Sequence, residues 1–121
     1  MKYVDGFVIP VSRRQLANYQ RIAQKAGKIW MEHGALAYVE AVGDDLKPKG
    51  IVATFPKNAR AKAGETVIFS FILYKSRAHR DRVNAKVMKD PRMNQMMEGS
   101  KTMPFEMKRM VCGGFKSIVD L

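Results

Sequence analysis

Thr66-Val67-Ile68-Phe69-Ser70-Phe71-Ile72-Leu73-Tyr74 is the stretch that decides the fold. Its residues are β-branched or aromatic almost throughout. Val67, Phe69, Phe71 and Leu73 point one way, and Ile68, Ser70, Ile72 and Tyr74 the other, so both faces are largely apolar. A strand of this kind sits inside a sheet and is covered on both sides. Ser76, two residues on, is a good N-cap residue, and 76–90 reads as a helix. In that helix His79, Val83 and Val87 recur every four residues and form one stripe toward the sheet.

Upstream, residues 3–11 alternate as a strand, with Pro10 marking its edge or end. Ser12 is placed to cap a long helix over 13–33, which Gly34 ends. Leu16, Tyr19, Ile22, Ala23, Ala26, Ile29, Trp30 and His33 share one face of that helix, and this face must lie on a sheet. Residues 36–42 form a second strand, with Leu36, Tyr38, Glu40 and Val42 on one side. From 44 to 65 the chain is rich in Lys, Gly and Pro, with only 51–55 reading as ordered; a connection this long is a candidate flap.

Downstream, Asp90-Pro91 supplies an N-cap and a proline at the first helical position, opening a short helix through about residue 97. Methionines crowd this half of the chain, where they fill core gaps or adapt to a ligand. The last strand runs over 110–121, with Gly113-Gly114 marking a bulge or a close backbone approach. The order strand, helix, strand, strand, helix, strand predicts a ferredoxin-like α+β domain spanning 1–121, a four-stranded antiparallel sheet with its helices on one face. The uncovered face of so apolar a sheet calls for a second copy of the chain.

The totals narrow the class. A chain of 121 residues with 46% hydrophobic content forms one domain with a modest core. No apolar run of about 18 residues is present to span a membrane. The acid in Met1-Lys2-Tyr3-Val4-Asp5-Gly6 falls where a signal peptide needs its apolar stretch, so a cytoplasmic protein is expected. One cysteine, Cys112, excludes an internal disulfide. Lys and Arg number 22 against 11 Asp and Glu, a formal charge of +11. Nucleic acid is a possible non-specific partner for such a charge, but the basic residues are dispersed along the chain.

Lys75-Ser76-Arg77-Ala78-His79-Arg80-Asp81-Arg82-Val83-Asn84-Ala85-Lys86-Val87-Met88, the corner Glu32-His33-Gly34-Ala35 and Gly113-Gly114-Phe115 resemble the uncharacterised YbaA-like family of bacteria. The resemblance runs from Tyr3-Val4-Asp5-Gly6-Phe7 to Val119-Asp120-Leu121. It implies a dimeric α+β barrel, a fold shared with small cofactor-free monooxygenases, dismutase-like haem proteins and stress proteins. It also implies a ligand cavity between helices and sheet. It implies no particular reaction, because one fold hosts many chemistries.

Against that cavity the sequence offers His79 as a candidate acid/base and His33, Trp30, Tyr38, Arg77 and Arg80 as candidate ligand-binding residues. Cations at a helix N-terminus are not favoured by the dipole, so Arg77, Arg80 and Arg82 around His79 need another use, such as an anionic ligand. Either histidine serves equally as a hydrogen-bonded core or helix-end group. Glu40 and Tyr38 also face the cavity, a lone carboxylate being a weak signal. His33, His79 and Cys112 lack the spacing of a metal site, and no phosphate-binding glycine loop or Gly-x-Ser-x-Gly turn is present. The expectation is a homodimer without cofactor that binds a small anionic or aromatic metabolite. The alternatives are a basic RNA-associated protein and a non-catalytic stress or structural protein.

Overall fold

The computed structural model describes residues 1–98 and 103–121. Strands β1 (Tyr3–Ser12), β2 (Ala37–Val42), β3 (Glu65–Tyr74) and β4 (Val111–Lys116) form one antiparallel sheet in the order β2-β3-β1-β4. Helix α1 (Leu16–Glu32) follows β1, a one-turn helix α2 (Phe55–Asn58) lies between β2 and β3, and α3 (Arg77–Lys89) and α4 (Pro91–Glu98) follow β3. This is the ferredoxin-like order predicted from the sequence, with two short helices added. Strand β3 is internal, pairing with β1 from Tyr3↔Tyr74 to Ser12↔Glu65 and with β2 from Ala37↔Leu73 to Val42↔Ile68.

The two faces of β3 meet different fates. Ile68, Ser70, Ile72 and Tyr74 are buried under the helices. There Ile72 and Tyr74 pack with Ile29, Val83, Val87 and Met93, and Ile68 packs with Ile9, Val11, Tyr19 and Ala23. Burying each large apolar side chain stabilises the fold by roughly 1.5–3 kcal/mol. On the opposite face Phe69 is 46% exposed, and its neighbours Val39, Val111 and Phe115 are 40%, 60% and 63% exposed. Among the described residues only the short α2 turn, through Phe55, reaches this face.

Local chemistry explains most boundaries and corrects several. Ser76 caps α3 by accepting a hydrogen bond from the His79 N–H at 3.1 Å. Asp90 caps α4, its Oδ1 accepting the Arg92 N–H at 2.9 Å. Gly34, at φ 113°, turns the chain at the end of α1 in a conformation that favours glycine. Ser12, by contrast, makes no side-chain cap; a 3₁₀ turn over Arg13–Gln15 precedes α1 instead. Pro10 lies within β1 and not at its end. Strand β4 pairs only with Tyr3 through Val8, so Pro10 falls where β1 has a free edge and no N–H is needed.

Gly113-Gly114 is a close approach and not a bulge. The register runs unbroken through Gly6↔Gly113 and Asp5↔Gly114. A Cβ on Gly114 would collide with the Tyr3 ring, and Phe115 lies across Gly6 and Gly113 on the exposed face. Beyond Lys116 the chain leaves the sheet, so β4 is shorter than the 110–121 expected. The 44–65 connection folds onto the exposed face: Phe55 meets Phe69 edge-on, with ring centroids 6.0 Å apart. No helix among the described residues is long and apolar enough to cross a membrane.

Candidate ligand-binding site

Between the sheet and α1, α4 and the 103–110 segment lies a cavity of about 180 Å³. Helical spacing brings Tyr19, Ala23, Ala26 and Trp30 of α1 to it, and strand alternation brings Tyr38 and Glu40 of β2 and Ser70 and Ile72 of β3. Met93, Met96, Met97, Met103, Met107 and Met110 make much of the remaining wall, with Phe105 among them. The methionines therefore line a space as well as filling the core. A wider groove of about 700 Å³ runs along the outside between α1 and β2, and it shares Tyr19, Ala23, Tyr38 and Glu40 with the inner cavity.

Glu40 sits at that junction with both carboxylate oxygens occupied. Oε1 accepts the Tyr19 hydroxyl at 2.6 Å, and Oε2 accepts the Tyr38 hydroxyl at 2.7 Å. Burial first, and then the neighbouring Glu40, push both phenols far above their usual range. They remain protonated donors at any physiological pH. The Tyr38 ring reaches this position by lying against the bare backbone of α1: a Cβ on Gly27 would stand 2.6 Å from Tyr38 Cδ1. Trp30 lies beside it, with ring centroids 6.1 Å apart.

The methionine wall is tied down at its end. Arg109 donates to both oxygens of Glu65 at 2.8 Å each and to the Arg60 carbonyl at 2.9 Å. Arg109, together with the Lys62 N–H, holds the Glu65 carboxyl at about 2, below its usual value of 4.5. Phe105 then meets Tyr19 edge-on, with centroids 5.6 Å apart.

Of the residues proposed from the sequence, Trp30 and Tyr38 line the cavity. His79, His33, Arg77 and Arg80 do not, and His79, His33 and Arg80 are each bonded elsewhere. His79 Nδ1 accepts the Lys75 N–H at 3.0 Å while the ring also bonds the Gly34 backbone, joining the start of α3 to the end of α1. Burial, reinforced by Lys75 and Arg82, lowers its pKa from 6.5. His33 Nε2 lies 2.8 Å from Asp90 Oδ2, tying the end of α1 to the start of α4. Arg80 bonds Asp5 at 2.7 Å and Asp81 at 2.8 Å, and its guanidinium lies 4.9 Å from the centre of the Tyr3 ring. Burial raises the Asp5 pKa despite the opposing charge of Arg80. Arg77 is exposed at the first turn of α3.

Tyr19 and Glu40 are the residues that the sequence reading undervalued. Tyr19 was legible only as part of an apolar stripe. The available signal was Glu40 itself, a carboxylate on the covered face of a strand, two residues from Tyr38. Among the described residues, no three His, Cys, Asp or Glu side chains come together as a metal site.

The sheet order and the helices on one face define a protein of the ferredoxin-like α+β class. Within that class the chain belongs to the family described as Protein of unknown function (DUF1428), whose model matches residues 2–107. It is 45% identical over 120 residues to the uncharacterized protein YbaA of Escherichia coli strain K12, covering 99% of each chain. The same identity and coverage hold for YbaA of Shigella flexneri. Among solved structures it is similar to SnoaB, a cofactor-independent oxygenase from Streptomyces nogalater, with a TM-score of 0.62 at 10% identity over 99% of this chain and 96% of that one. It is also similar to a NIPSNAP family protein of unknown function from Agrobacterium tumefaciens, with a TM-score of 0.58 at 14% identity over 96% and 87%. At these identities the likeness is one of fold.

Proposed function

We propose that this protein is a cytoplasmic homodimer that binds a small aromatic metabolite in the cavity between its sheet and helices. The observation that carries the reading is the cavity's lining: methionine and aromatic side chains around Glu40, the one carboxylate that lines it among the described residues. That lining favours an aromatic over an anionic ligand, because among the described residues no basic side chain lines the inner cavity and Lys28 borders only the outer groove. Cofactor-independent oxygenation is the activity of one structural neighbour, SnoaB. At 10% identity it carries the fold and not the reaction, so binding is the activity proposed. His79 and His33 are read as ties between helices and not as acid or base.

The homodimer rests on Phe69, Val111, Phe115 and Val39, a contiguous apolar surface on the uncovered face of the sheet. Sedimentation at micromolar concentration should give twice 13.7 kDa, and Phe69→Lys with Phe115→Lys should give the monomer. For the ligand, a thermal-shift panel of neutral aromatic and carboxylated metabolites is the direct test, since a ligand of the folded state raises its melting temperature by mass action. Neutral aromatics should raise it. A response confined to carboxylates or phosphates would contradict the reading.

A further inference from the structure

We infer that Glu40 is the recognition group of the cavity and selects a neutral aromatic molecule carrying a hydroxyl. This rests on reading the cavity as a ligand site, and it adds the chemistry of what is bound. Among the described residues no Lys, Arg, His or Asp lines the inner space, and Glu40 is the one acidic side chain there. An anion brought beside Glu40, which is half-buried, meets another carboxylate. An ionised carboxylate offers acceptor positions only, about four in all, of which Tyr19 and Tyr38 take one on each oxygen. The positions left over can be satisfied only by a donor.

The tyrosines cannot reverse this preference. Each directs its one O–H at Glu40, and burial keeps both protonated. Ser70, the further polar side chain of the inner cavity, is 6% exposed and pairs with Glu40 across the β2–β3 register. Size points the same way. The inner space, about 180 Å³, is below the roughly 300–1,000 Å³ usual for small-molecule sites. A ring compound that extends toward the outer groove must pass Glu40, which borders both spaces. The hydroxyl is then presented at the junction, with the ring against methionine and Trp30.

Titration calorimetry of the full chain with three probes of one ring system tests this. The probes are 1-naphthol, 1-methoxynaphthalene, which has lost the donor, and 1-naphthoate, which carries a negative charge. A hydrogen bond to a charged group makes the expected preference for naphthol over methoxynaphthalene about tenfold or more. Naphthoate should bind more weakly than naphthol. Glu40→Gln, checked for folding by its melting curve, should weaken naphthol by a similar factor and leave methoxynaphthalene unchanged. Equal affinity of naphthol and methoxynaphthalene for the unmodified protein, or preference for naphthoate, would overturn selection by Glu40 while leaving the cavity as a ligand site. Binding of none of the three would remove the cavity reading and this inference with it. The comparison on the unmodified protein decides the matter even where the variant does not fold.

Discussion

Two polar assemblies sit on the helix side of the sheet, one around Arg80 and one around Glu40. In the first, Arg80 meets Asp5, and Asn84 accepts from the Trp30 Nε1–H and the Tyr74 hydroxyl at 3.1 Å each. His79 and His33 are nearby and similarly engaged, with backbone and with Asp90. These groups spend their hydrogen bonds on one another, and of them only Trp30 lines the inner cavity, with its N–H turned to Asn84. In the second, two tyrosines hold a carboxylate whose remaining acceptor capacity borders open volume. The richer collection of titratable residues is thus bonded within itself, and the poorer one is where the proposed ligand would bind. Residue type alone does not make a site; unspent valence beside accessible space does.

The comparison can be broken most sharply at Arg80. Arg80→Met leaves Asp5, which is 6% exposed, as an uncompensated buried carboxylate. Removing one partner of a buried pair costs roughly 3–5 kcal/mol, to be read from denaturant unfolding, while affinity for a cavity ligand should be unchanged in the protein that remains folded. A large loss of affinity without loss of stability would move Arg80 into the site.

Gly27→Ala should act in the opposite sense, on the site more than on the fold. The new methyl displaces the Tyr38 ring, with an overpacking cost of about 1–3 kcal/mol, partly offset by alanine's better helix propensity. Ligand affinity should fall with it. Unchanged affinity would show that the position of Tyr38 is unimportant to binding.

Smallest is the His79 effect, which depends on pH. Its pKa is lowered in the folded protein, chiefly by burial, so the unfolded chain takes up the proton more readily. The stability it contributes is full above 6.5 and is lost as pH falls through the folded value. His79→Gln should cost about 1 kcal/mol near neutrality and flatten the decline in stability on acidification below pH 6.5. Glu65, held at about 2 by Arg109, adds a separate loss below its ordinary value of 4.5. An unchanged acid profile in His79→Gln would take His79 out of the structural network.

How much of this was legible in the sequence follows from the range of the interactions. The alternation of β3, the cap at Ser76, the Asp90-Pro91 start and the turn at Gly34 are local, and each was readable within a few residues. The uncovered sheet face was also readable, because Phe69 and Phe71 alternate with Ile68 and Ser70. Ser12 misled because cap propensity competes with the way β1 runs into a 3₁₀ turn. The pairing of Arg80 was hidden because Asp5, its partner, lies 75 positions away. The Glu40 assembly needed α1 laid on β2 before Tyr19 and Tyr38 could meet on one carboxylate. Gly27 could be recognised as their seat only then.

The central claim is that the ligand sits among the methionines beside Glu40 and not among the basic residues of α3. Methyl-labelled methionine and histidine spectra, recorded as 1-naphthol is added to the full chain, locate it directly. The account predicts shifts at Met93, Met96 and Met110, with the His79 and His33 rings unmoved. Shifts concentrated at His79, with the cavity methyls unmoved, would contradict it.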